Sequence, residues 1–307
     1  MKIKYKDIKL RGDSLTIVRQ ANEIIDEYQA RGFTLTLRQT YYQFVSRGLL
    51  GNTDKNYKRL GSILNDARLA GLVDWEAMED RTRYLRKLPH WVDPQSIVRS
   101  CAEQFRLDKW RNQRYYCEVA IEKDALLGVI EGVCNELEVP YLACRGYSSA
   151  SEVWRAGHDR FLPQLQAGKA CVLLYLGDLD PSGWDMPRDL QARLDLFTGS
   201  AGNVEVRRLA LNSSQVEQYQ PPPNPAKLTD SRSGPFIEQF GEDSYELDAL
   251  DPTVIADLIR GAALSLRDED LWAEDVASEE ESKRHLAGIA ANWASVIRRL
   301  PRRRTDD

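Results

Sequence analysis

The stretch Ala170-Cys-Val-Leu-Leu-Tyr-Leu176 is apolar at every position and is bounded by Lys169 and by Gly177-Asp178. A run this short that is apolar at both odd and even positions reads as a strand buried on both faces, the state found inside a parallel sheet. The flanking chain repeats the theme. Cys117–Glu122, Pro140–Arg145 and Val204–Leu211 read as further strands, and Asp124–Leu137, Ser149–Leu165 and Gly183–Phe197 as helices between them. Alternating β and α units predict an α/β domain over residues 115–260 with a mainly parallel sheet. Ligands of such sheets bind beyond the carboxyl ends of the strands.

Two of those ends carry acid. Glu122 closes the first strand, and Asp178-Leu-Asp180-Pro-Ser-Gly183 follows the apolar run. Three carboxylates converging at one sheet edge repel one another unless a cation sits among them. An all-oxygen set predicts Mg²⁺ or Mn²⁺, and with three histidines and no C-x-x-C pair the chain offers little to zinc. The plainer alternative is that Asp178 and Asp180 only form a turn and cap the next helix. No G-x-x-x-x-G-K-[ST] loop occurs, so no ATP site is expected.

The first third reads differently. Ser14–Ala30, Leu37–Arg47 and Asp54–Ala70 are three short helical patterns, each followed by glycine within two residues. Leu72–Trp75 then reads as a short strand. This order predicts a winged helix–turn–helix domain over residues 1–88, with Lys55, Lys58, Arg59 and Arg68 on the third helix and Arg81 and Arg83 beyond it as phosphate contacts. In the second helix Leu37, Tyr41, Phe44 and Val45 form one apolar face, so Tyr41 is core. Tyr42 lies about 100° away, shares a face with Arg38, and is expected to reach solvent or DNA. A neighbouring cation favours phenolate and binds phosphate, which makes Tyr42 a candidate nucleophile. The ordinary alternative is a tyrosine that hydrogen-bonds phosphate and does no chemistry.

Charge separates the same two parts. Residues 1–116 hold 22 Lys or Arg and 14 Asp or Glu, whereas the remaining 191 hold 20 and 33, although the chain as a whole carries only −5. A basic first third beside an acidic remainder fits a DNA partner for the former. No apolar run approaches the roughly 20 residues of a membrane span. The amino terminus lacks an apolar core after its lysines, and the five cysteines are odd in number and scattered. These features predict reduced thiols and a cytoplasmic, nucleoid-associated protein without a membrane partner. Residues 89–114 are expected to act as a connector, and 261–307 as charged, solvated or dimer-supporting helices.

Glu122-Lys-Asp-Ala, Gly146-Tyr-Ser and Asp178-Leu-Asp-Pro-Ser-Gly together resemble the TOPRIM domain of the topoisomerase VI A subunit. Arg38-Gln-Thr-Tyr-Tyr42 resembles the R-x-x-[YF]-Y motif of that family's winged-helix domain. Glu246-Leu-Asp-Ala-Leu250 is similar to a segment late in its TOPRIM region, and the resemblance covers about residues 10–260. It implies that Tyr42 attacks a DNA phosphodiester to form a 5′-phosphotyrosyl link, with Arg38 beside it and Glu122, Asp178 and Asp180 holding Mg²⁺. It also implies a homodimer, in which one subunit's tyrosine works by the other's metal, and a separate GHKL-type ATPase B subunit. Lys123, Lys227 and Glu246 are further candidate site residues. Asn212–Arg232, with its proline run, departs from the family pattern.

Three functions remain open on the sequence. The first is tyrosine transesterification on double-stranded DNA. The second is a water-using TOPRIM endonuclease, similar to the nuclease subunit of the Wadjet plasmid-defence system. The third is a DNA-binding scaffold without chemistry.

Overall fold

The structure is a computed structural model that describes residues 2–78, 88–144, 149–199, 203–225 and 232–299. The chain forms two compact units, residues 1–83 with 115–265 and residues 84–114 with 266–307.

In the first unit three helices open the fold: α1 (Asp13–Ala30), α2 (Leu37–Ser46) and α3 (Asp54–Leu69). Thr36 starts α2 with a reciprocal capping box to Gln39, and Thr53 caps α3 through the Asn56 amide. Their apolar stripes meet in one core that includes Ile24, Tyr28, Phe44, Leu60 and Leu64. The expected strand at Leu72–Trp75 does not form among the described residues, which show only isolated bridges, Lys4 to Ala70 and Leu35 to Met78. Two features account for this. Gly71 turns at φ 74° against the Lys4 backbone, and Arg68 takes the Trp75 and Met78 carbonyls that a ladder would use.

The remainder of this unit is mixed α/β around a four-stranded parallel sheet of order β2-β1-β3-β4. The strands are β1 (Tyr115–Ile121), β2 (Tyr141–Ala143), β3 (Ala170–Leu176) and β4 (Val204–Ala210). Residues 171–176 of β3 are buried without a break, so both faces of the sheet are covered, as the apolar run predicted. One face packs Cys171, Leu173 and Tyr175 against Phe161, Met186, Leu190 and Leu194. The helices that connect the strands fall where the periodicity placed them. They are α5 (Leu127–Leu137), then α6 (Ala150–Arg155) running through a π-helical turn into α7 (Leu162–Gln166), then α8 (Pro181–Thr198).

The second unit corrects the expected domain organisation. Residues 89–114 are not a free connector: α4 (Pro94–Gln104) packs on the long carboxyl-terminal helix Glu269–Ala291. Nor is that helix merely solvated, because Asp275 and Glu279 are buried. Lys109 Nζ meets Glu279 Oε2 at 2.6 Å, the Leu107 amide donates to the same oxygen at 2.9 Å, and Arg111 pairs with Asp275. Among the described residues no helix is long and apolar enough to cross a membrane. Cys117, Cys134, Cys144 and Cys171 are buried free thiols, and Cys101 is exposed.

Candidate active site

Parallel pairing places the strand-end acids side by side. Ile121 of β1 is in register with Leu176 of β3, and the Glu122 amide donates to the Leu176 carbonyl at 2.9 Å. Glu122 Oε2 then accepts the Asp178 amide at 2.9 Å. Asp180 caps α8, with Oδ1 accepting the Gly183 amide at 2.6 Å and the Ser182 hydroxyl at 3.1 Å. The capping alternative is therefore true of Asp180 but not of Asp178. Asp178 Oδ1 accepts the Leu247 amide at 2.7 Å, and Oδ2 lies 2.9 Å from Lys123 Nζ.

The three carboxylates accordingly do not converge on one point. Among the described residues no three acidic, imidazole or thiol side chains are gathered into a ligand set as they stand. Glu122 and Asp180 do face one another electrostatically. Burial pushes the Glu122 carboxyl above its ordinary value; the Asp178 amide pulls it back and the Asp180 charge pushes it further up. Burial likewise raises Asp178, to about 6, against the pull of Lys123. Crowded, partly desolvated oxygen donors of one sign are the chemistry that suits a hard divalent cation, so these residues match Mg²⁺ or Mn²⁺ in donor type and not in placement.

A segment from far along the chain completes the site. Leu179 and Tyr245 exchange two backbone hydrogen bonds of 2.9 Å, which staples residues 245–248 against the D-x-D turn. Glu246 and Asp248 thereby come beside Lys123, whose Nζ lies 3.1 Å from a carboxylate oxygen of each. The same two acids reach across to α2: Arg38 Nη2 meets Glu246 Oε2 at 2.6 Å and Arg38 Nε lies 3.0 Å from Asp248 Oδ2. Burial drives Asp248 up to about 6 despite Lys123 and Arg38. For Glu246 burial also works upward, but Lys123, Asp248 and Arg38 outweigh it and hold the group near 2.

Tyr42 differs from expectation. It is 4% exposed, as buried as Tyr41, because the turn at Leu247–Ala249 packs on α2. Its hydroxyl lies 3.5 Å from Arg38 Nη2. Burial raises its pKa above the ordinary 10 and Asp248 adds to this, while Arg38 pulls the other way and loses. The neighbouring cation therefore does not make Tyr42 a resting phenolate. Tyr41 is core as expected, its hydroxyl accepting the Thr53 amide at 2.7 Å. Both tyrosines line a cleft of about 160 Å³ with Arg38, Tyr57, Asn224 and Glu246, and Asn52 Nδ2 donates to Asn224 Oδ1 across it at 3.1 Å.

The expected DNA contacts divide. Lys55 and Lys58 are exposed on α3, and Arg59 is exposed but paired with Asp13. Arg68 is half-buried, donates to two carbonyls and stacks on Trp75, so its position is that of a structural side chain. Arg81, Arg83 and Lys227, and the Gly146-Tyr-Ser motif, lie outside the described residues.

Two site residues are not singled out by the sequence, Asp248, which lies inside the Glu246–Leu250 segment, and Arg208. The Arg208 guanidinium donates to the carbonyls of Asp178 (2.7 Å), Gly183 (2.7 Å), Gly177 (3.3 Å) and Leu211 (3.1 Å), which fixes the backbone that carries the D-x-D turn. Strand parity was the available signal: Glu205 and Arg207 pair on one face, and Arg208 must point to the other.

Gly183 shows how tightly this backbone fits. A Cβ there would strike the Asp178 carbonyl and lie 3.1 Å from Glu122 Oε2. Gly183→Ala is expected to displace Glu122, lower the melting temperature, and cut any activity of the site on the order of a hundredfold, the scale of a 1 Å misplacement. Thermal unfolding measured beside activity checks both.

No family model matches the chain, and neither a curated protein nor a solved structure does.

Proposed function

We propose that the chain cleaves double-stranded DNA by phosphoryl transfer, with Tyr42 as the attacking group. One observation carries this reading. An unbroken series of ion pairs, from 2.6 to 3.1 Å, runs from Arg38 through Glu246 and Asp248 to Lys123 and Asp178, so the tyrosine of α2 is tied to the acidic sheet end within one chain. A TOPRIM-like sheet end behind a winged-helix-like basic module accounts for both halves, and exposed Lys55 and Lys58 supply phosphate contacts. A homodimer and an ATPase subunit are part of the proposal through the family resemblance alone, and the tie within one chain stands in place of the cross-subunit pairing of tyrosine and metal that the resemblance implies.

Glu122, Asp178 and Asp180 are the residues to hold Mg²⁺ or Mn²⁺, which when bound orients phosphate and stabilises charge on the leaving oxygen. Arg38 sits beside the Tyr42 hydroxyl, placed to bind the anionic phosphate under attack. Tyr42 enters neutral, so it sheds its proton as its oxygen bonds to phosphorus, toward Asp248, whose carboxyl burial raises to about 6 and whose Oδ2 meets Arg38. The P–O3′ bond breaks, and the 3′ oxygen takes a proton from solvent and leaves as a hydroxyl.

Attack by water instead is favoured by one observation, the 4% exposure of Tyr42. End-labelled duplex incubated with Mg²⁺ or Mn²⁺ and then denatured separates the two. A protein-linked end that Tyr42→Phe abolishes is expected. Cutting that survives Tyr42→Phe and disappears in Asp178→Ala overturns the tyrosine in favour of water, and binding without cutting leaves only a scaffold.

A further inference from the structure

One carboxylate oxygen in the site is shared by two cations. Glu246 Oε2 lies 2.6 Å from Arg38 Nη2 on α2 and 3.1 Å from Lys123 Nζ just past β1. The Tyr42 hydroxyl is 3.5 Å from that same Arg38 nitrogen, so the carboxylate oxygen and the phenol share one corner of the guanidinium. An oxygen held between a guanidinium and an ammonium is where a phosphate oxygen binds equally well, because both cations donate to carboxylate and phosphate in the same way. Glu246 is also the acid that is able to leave. The side chains of Asp178 and Asp248 are 10% and 1% exposed, and Asp178 is held further by the Leu247 amide. That of Glu246 is 27% exposed and lines the cleft of about 160 Å³ beside Tyr42.

We propose that Glu246 is a built-in plug in the seat of the DNA phosphate: a backbone phosphodiester displaces its carboxylate and takes the place between Arg38 and Lys123. The inference rests on the DNA-cleaving reading above, and names where the phosphate under attack sits and what must move first. The exchange conserves charge. A phosphodiester carries one negative charge, as the glutamate does, so neither cation is left without an anion and the buried Asp178 and Asp248 keep their partners. Glu246 swings out by rotation about its own side-chain bonds, which leaves the Leu179–Tyr245 staple and the hydrogen bond from Leu247 to Asp178 in place. Asp248 stays on Arg38 Nε to receive the Tyr42 proton. A lone anion must evict the plug unaided, whereas duplex DNA also gains the exposed Lys55 and Lys58.

Binding of fluorescein-labelled duplex to the whole chain, followed by anisotropy in chelator at one salt concentration, tests this. Glu246→Gln is expected to bind on the order of tenfold tighter than wild type, the scale of one charge-assisted contact. Removing any acid strengthens DNA binding to some extent, so the gain is measured again in Arg38→Met, where the seat lacks its guanidinium and the gain is expected to vanish. Glu246→Asp keeps the charge but is one methylene shorter, so it cannot hold one oxygen at both cations. It is expected to gain as well, by less, and this decides the matter if Arg38→Met does not fold. Unchanged or weaker binding by Glu246→Gln, an equal gain in both backgrounds, or no gain by Glu246→Asp overturns the plug while leaving the DNA reading in place. No binding by the wild type or by Glu246→Gln removes the DNA reading itself.

Discussion

Glu122→Gln is expected to abolish most of the proposed DNA cleavage while making the metal-free protein more stable. The two effects have one origin. Burial and the Asp180 charge raise the Glu122 carboxyl above its ordinary value, so the ionised form is the disfavoured one in the folded state. A group raised in this way lowers stability at pH above its unfolded value, and neutral glutamine removes that burden. Glutamine keeps the acceptor that holds the Asp178 amide, so the turn survives the change. What is lost on the proposed reading is a charge aimed at a metal ion, and removal of one preorganised electrostatic contact costs on the order of 10²–10³ in rate. Thermal unfolding in chelator and single-turnover cleavage of labelled duplex together check it. A fall in melting temperature alongside lost activity would mean that Glu122 holds the fold and not the ion.

Glu279→Ala is expected to cost about 3–5 kcal/mol of stability in the second unit. Glu279 is 4% exposed and accepts from Lys109, Lys283 and the Leu107 amide. Its removal leaves the buried Lys109 ammonium without its carboxylate, the expensive way to break such a pair. Replacing both partners, Lys109→Met with Glu279→Leu, is expected to recover most of the loss. The pH dependence follows the same contact. Burial works upward on Glu279, but the hydrogen bonds from Lys109, Lys283 and Leu107 prevail and hold it near 2, against an ordinary 4.5. A lowered carboxyl contributes stability that is fully present above about 4.5 and is lost as pH falls from there toward 2. Denaturant unfolding followed by tryptophan fluorescence should show that acid dependence in the wild type and its absence in Glu279→Gln.

The residues that sequence placed correctly are those whose partners are close by or repeat with a period. β3 declared itself because burial on both faces leaves no room for polar residues, and the glycines that follow the first three helices marked their ends. Tyr42 was misjudged because helical phase says which residues share a face, not whether a distant segment covers that face. The covering residues, Leu247–Ala249, arrive from two hundred positions later through the Leu179–Tyr245 bridge. Lys123 posed the same difficulty. It sits next to a candidate ligand in the sequence, yet two of its three carboxylates belong to that late segment, where Glu246 precedes and Asp248 lies within the tight turn at Leu247–Ala249.

The second unit is assembled from two stretches with all of residues 115–265 between them. On a ribosome the order of events then differs for the two units. The core of α1, α2 and α3 is complete within the first eighty residues and has its apolar partners as soon as they emerge. The α4 stretch has no such partner at that time, since the helix it packs on begins at Glu269. At about 5–20 residues per second the wait is roughly ten to thirty seconds, with Ala102 and Trp110 uncovered throughout. A nascent chain arrested before Glu269 is therefore expected to carry a folded amino-terminal layer joined to an adhesive segment, and to depend on holding chaperones for that interval.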